Sequence, residues 1–136
     1  MKQFIHLGWV LLLLLIVAPG CKKKKDGGCT EAVMTVTTDP ADGSVVAPSV
    51  GPDFPLKVNI TSNRPTSGVS IVVTARPEGA TSEPFFSDTL TNVNQQTTDI
   101  TIVGTPPGTA ATVDIVVTSN SCNTNRWTGS YRYSMK

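Results

Sequence analysis

Cys21, Cys29 and Cys122 have the widest chemical reach in this chain of 136 residues, since a thiol can be acylated, paired or bound to a metal. Their spacings form no zinc-ligand pattern. The only histidine, His6, lies in an amino-terminal apolar run, so the rest of the chain has no imidazole for a catalytic dyad or for metal ligation. Carboxylates are the remaining candidates. Of the 10 acidic residues, Asp39, Asp42, Asp53, Glu78 and Glu83 fall in turn-rich stretches, where oxygen ligands suit a polar partner or a hard cation such as calcium. No calcium-loop spacing organises them, and no metal is assigned. A glycine-rich phosphate loop, a nucleophile elbow and a paired-carboxylate signature are all missing from the sequence. No enzymatic activity and no cofactor are expected.

The amino terminus carries an address. Residues 10–18 are uninterruptedly apolar, Lys2 precedes them, and Pro19-Gly20-Cys21 follows. Counted from Phe4 the apolar stretch is 15 residues, short of the roughly 20 that span a bilayer core. This is the pattern of a secretory signal, and the alternatives for the same residues are an ordinary cleaved signal or an uncleaved anchor. Cysteine parity favours a third outcome. Three cysteines in an oxidising compartment leave one thiol unpaired, whereas acylation of Cys21 leaves a pair.

Ala18 and Gly20 ahead of Cys21 resemble the lipobox of bacterial lipoproteins. That resemblance implies a signal peptide over 1–20, a palmitate-type acyl anchor on Cys21 and a lysine-rich tether over 21–28. It also implies an outer-membrane protein whose partner is the membrane itself through the lipid. The lysine run at 22–25 followed by Asp26 resembles Bacteroidota-type lipoproteins, some of which face the cell surface.

From residue 29 onward the composition favours strands. The chain holds 19 Thr, 11 Ser, 10 Pro and 11 Gly with only 6% aromatics, a mixture that suits pleated surfaces and turns better than helices. Apolar residues alternate at Phe54, Leu56, Val58 and Ile60, at Val69, Ile71, Val73 and Ala75, and at Ala111, Val113, Ile115 and Val117. Trp127, Tyr131, Tyr133 and Met135 continue the pattern. Weaker strands are expected over 32–38, 85–91 and 97–103, with turn clusters between all seven. The expectation is an all-β domain over 29–136, a single antiparallel seven-stranded sandwich. Thr105-Pro106-Pro107-Gly108-Thr109 resembles the turn before the sixth strand of fibronectin type III domains. The chain is therefore immunoglobulin/fibronectin type III-like in expected architecture.

Seven strands running up and down put the start of the first strand and the sixth-to-seventh loop at one end, so a Cys29–Cys122 disulfide is expected. The tether then lies at that end, and loops 39–53, 77–84 and 104–108 point away from it, carrying the five named carboxylates. A full extra strand over 44–49 would reverse this parity. Trp127, Tyr131 and Tyr133 share one strand face, either as a sugar-stacking platform or, as the wet alternate residues Arg126, Thr128, Ser130 and Arg132 favour, as core. Phe85 and Phe86 are adjacent and point to opposite faces, which leaves one as an exposed contact. Beyond residue 20, 10 basic residues meet 10 acidic ones, so nucleic acid is not an expected partner. The functional expectation is a lipid-anchored envelope module that presents outward loops to a protein or glycan partner. The alternative is a structural spacer or accessory subunit of an outer-membrane complex that uses its sheet edges.

Overall fold

The computed structural model describes residues 29–81 and 83–136. The expected signal peptide, the expected acylation site Cys21 and the expected lysine-rich tether lie outside the described residues. Seven antiparallel strands form two sheets: β1 (Val36–Asp39), β2 (Phe54–Ile60) and β5 (Thr97–Ile102) in one, β4 (Phe86–Val93), β3 (Val69–Pro77), β6 (Ala110–Ser119) and β7 (Arg126–Ser134) in the other. The domain is an immunoglobulin/fibronectin type III-like β-sandwich. Its fourth strand sits beside β3, whereas the constant-type immunoglobulin partition places the fourth strand in the sheet of the first two.

Period-two patterning decides which faces meet. Leu56, Val58 and Ile60 from β2 and Ile100 and Ile102 from β5 are buried against Val69, Ile71 and Val73 from β3 and Val113, Ile115 and Val117 from β6. Each fully buried aliphatic chain of this size contributes about 1.5–3 kcal/mol over leaving it in water. Phe54 stacks on Tyr133 with ring centroids 4.0 Å apart, and Tyr131 completes the trio at 6.3 Å from each. Phe85 and Phe86 both pack, half-buried, against this core, so the expected exposed phenylalanine contact is not there. The edge position of β4 leaves room at the rim for both rings.

Where β1 ends, a proline of β2 explains why. The Ile60 N–H goes to Gln96 O on the β5 side at 2.8 Å, and the Thr61 N–H goes to Thr35 O on the β1 side at 2.9 Å. Alternation along β2 therefore aims position 55 at β1. Pro55 has no N–H to offer β1, so the β1–β2 ladder stops at the Asp39–Lys57 pair. The chain crosses to the second sheet and runs parallel to β7, with bridges Val45–Arg132 and Ser49–Met135. Those isolated bridges continue the direction of β1, so residues 44–49 form no reversing strand and the expected parity stands.

Two glycines answer close approaches. Gly68 has φ +75°, and a Cβ there would stand 2.7 Å from Asn94 Oδ1 and 2.9 Å from Val93 O. Gly129 sits within β7 because the Trp127 indole lies over it; a Cβ would meet the ring at 2.3 Å.

Candidate functional site

The two ends of the sandwich differ in chemistry. At one end Cys29 and Cys122 form a disulfide with Cα atoms 5.6 Å apart and a sequence separation of 93. Asn125, buried in the β6–β7 loop, accepts the Met34 N–H at 2.9 Å and donates from Nδ2 to Ala32 O at 3.0 Å and Glu31 Oε2 at 3.1 Å. The Ser121 hydroxyl donates to the other Glu31 oxygen. Hydrogen bonds from Ser121 first, then Ser119 and Asn125, hold the Glu31 carboxyl below its ordinary value against a small opposing effect of burial. Residues 29–34 are thereby pinned to the β6–β7 loop by side chains, which is why β1 proper begins only at Val36, later than the alternation in sequence implies.

The opposite end gathers residues 50–53, the β3–β4 connection and residues 103–108. Asp53, Glu78 and Glu83 are all exposed there. Glu78 takes the Arg132 guanidinium, Nη1 to Oε1 2.7 Å, and its N–H donates to Ala110 O at 2.8 Å. Beside these carboxylates stand apolar residues in water: Val50 is 88% exposed and Val103 46%. Pro52, Pro106 and Pro107 are exposed at the same end.

Two of the five carboxylates expected at that end are elsewhere. Asp39 closes β1 opposite Lys57, and Lys57 lies midway along β2. Asp42 accepts the Ser130 N–H at 2.7 Å, halfway along β7. The strand cross-over holds both at mid-height, because the 39–53 connection begins where Pro55 ends the ladder and reaches the far end only after residue 49. Among the described residues no three His, Cys, Asp or Glu side chains stand close enough to share a metal ion.

A groove of about 300 Å³ opens where β1 leaves its sheet. Pro40, Val46 and Pro55 supply apolar walls, and the Lys57–Asp99 ion pair, 3.5 Å, stands at its rim with Asp39. Sequence reasoning missed this feature. Alternation identifies Lys57 and Asp99 as outward residues on separate strands, but nothing local says that β2 and β5 are neighbours.

The aromatic stripe is core. Tyr131 and Tyr133 are buried, with Trp127 packed half-buried at the margin. Tyr133 shares a hydrogen bond with buried Thr105 at 2.5 Å, while the Tyr131 hydroxyl finds no partner among the described residues. Desolvation raises both phenols, for Tyr131 with the added charge of Tyr133, and for Tyr133 against the lowering effect of the Thr105 bond. Neither ring faces water as a sugar platform would. Comparison with known proteins finds no family model that matches the chain and no curated relative.

Proposed function

We propose that the chain is a lipid-anchored module of a bacterial envelope that presents the end opposite the disulfide to a protein or glycan partner. The observation that carries this reading is the asymmetry of the two ends. The described chain begins at Cys29 in the disulfide, where Val33 is exposed, and the exposed Val50 and Val103, with Asp53 and Glu83, lie at the other end. Exposed apolar residues at the same end as exposed carboxylates suit recognition, since loops carried by a rigid scaffold are where partners are commonly bound. The acyl anchor on Cys21 supplies the address and fixes the orientation.

The test uses the full chain in its native membrane. Cys21→Ser should release it from the membrane fraction, and Val50→Ser with Val103→Ser should remove retention on an envelope-glycan array or on purified outer-membrane proteins while the thermal midpoint is kept. Retention unchanged by the double variant refutes the distal-end reading. An unmodified amino terminus on the membrane-extracted protein refutes the anchor. The second reading, an accessory subunit joined through sheet edges, is favoured by the outer edge of β5, with which no strand pairs among the described residues.

A further inference from the structure

The sandwich has four sheet edges, and three are closed by identifiable devices. The β7 edge is covered by residues 43–49: Val46 N–H donates to Arg132 O at 2.8 Å, Arg132 N–H to Ser44 O at 2.9 Å, Ser49 N–H to Ser134 O at 2.9 Å, and Asp42 caps Ser130. The β1 edge is only four residues long and ends at Pro40. The β4 edge is interrupted by a register shift opposite Val69–Ile71, with Asn92 at φ 55°, and Asp88 sits opposite buried Val73, on the face turned towards the core. Short strands, prolines, bulges and inward charges are the means by which folded proteins stop other chains from adding to a sheet.

β5 has none of them. Its six residues contain no proline and no lysine, its register with β2 is unbroken, and its only charge, Asp99, is on the outer face. Gln96 O accepts from Ile60, so alternation turns Thr98, Ile100 and Ile102 towards β2 and leaves the N–H and C=O groups of Thr97, Asp99 and Thr101 on the free edge. Among the described residues no strand pairs with that edge.

We propose that the β5 edge is a docking site for an extended segment of a partner protein, which adds as a fourth strand to the β1-β2-β5 sheet. Main-chain bonds to Thr97, Asp99 and Thr101 give affinity, and alternate side chains give selection. On the inner side the incoming strand continues the apolar line of Ile100 and Ile102. On the outer side Asp39 and Asp99 flank the single ammonium of Lys57, a local excess of one negative charge, so the incoming strand places a Lys or Arg beside Asp99. A second copy is a poorer occupant. Self-pairing centred on Asp99 sets two carboxylates opposite each other. Antiparallel self-pairing also inverts one copy, which two chains anchored through Cys21 in one bilayer cannot accept; that step alone rests on the anchoring proposed above. The edge lies apart from the distal loops, and the inference holds whether or not those loops bind.

The experiment uses the full acylated chain in detergent and an acetylated peptide, Thr-Val-Thr-Val-Lys-Val-Thr-Val, followed by residue-resolved amide exchange. Before peptide, Thr97, Asp99 and Thr101 should exchange fast while Thr98, Ile100 and Ile102 are protected. With peptide the first three should slow. Thr101→Pro removes one edge donor and should weaken binding about tenfold, the scale of one hydrogen bond, while Thr101→Val stays within about twofold. Thr98→Lys, an inward charge, should weaken it similarly if the proline variant fails to fold. Replacing the peptide's Lys by Glu should weaken it further. Protection of Thr97, Asp99 and Thr101 before peptide means that residues 22–28 or a second copy already occupy the edge, and overturns the proposal. So does peptide protection confined to other strands or to the distal loops, or binding unchanged by both edge variants.

Discussion

The Asp42 carboxylate accepts the backbone N–H of Ser130 at 2.7 Å, and the Gly43 N–H donates to Ser130 O at 2.6 Å. One residue of the edge strand is thus satisfied by a side chain and a backbone group from the segment that crosses between sheets. Asp42→Ala should lower the unfolding free energy by about 1 kcal/mol, and Asp42→Asn, which keeps an acceptor, by less. Urea unfolding measures both; equal losses would mean that the charge and not the acceptor matters.

Buried phenols provide a paired contrast. Tyr133→Phe strands the Thr105 hydroxyl in the core and should cost about 1–3 kcal/mol. Tyr131→Phe removes a buried hydroxyl that has no partner among the described residues and should be neutral or stabilising. Thermal midpoints of the two single variants decide the matter.

The same two residues set the alkaline limit. Burial raises both phenols above the ordinary value of 10.0, so their contribution to stability is complete below about pH 10 and is lost as pH rises from there through their folded values. Tyrosinate absorbance should appear together with unfolding, not ahead of it. Early ionisation of two tyrosines in a folded protein contradicts the packing described here.

Glu31 acts at the acid limit. Its folded carboxyl titrates below the ordinary 4.5, so the stability it adds is present above that value and lost as pH falls through the folded one. Glu31→Gln should flatten the acid limb of the stability profile and raise amide exchange at Met34. An acid limb identical to the wild type would show that the Ser121 and Asn125 contacts contribute nothing.

Replacing Cys29 and Cys122 together by Ser should cost about 2–4 kcal/mol, because the loop they close is long. The loss should concentrate in residues 29–39, where β1 pairs with β2 over only four positions. Amide exchange in those residues, compared with that in β3 and β6, is the measurement.

Much of the fold is legible along the chain because burial on a pleated strand alternates residue by residue. Phe54 to Ile60 and Val69 to Pro77 appear where their alternation places them, and Tyr131 and Tyr133 are core as their wet neighbours Arg132 and Ser130 imply. The disulfide followed from strand parity. The site was less legible. Asp39, Asp42, Asp53, Glu78 and Glu83 look alike as loop carboxylates, yet Asp42 caps a strand, Asp39 ends a ladder, Glu78 holds Arg132, and Asp53 and Glu83 are exposed at the far end. Which role each takes depends on the residue across from it.

The sequence by itself determined an all-β domain of seven strands, its core faces and the pairing of Cys29 with Cys122, since these follow from period-two patterning, turn residues and parity. Only the tertiary structure decided that the sheets divide three and four, that the ladder stops short of Pro55 and the chain crosses to cover β7, and that β5 keeps an open edge. The physical reason is that an edge is a relation between strands distant in the chain. Hydrogen-bonding groups are carried by every residue alike, and whether they are satisfied depends on which neighbour arrives.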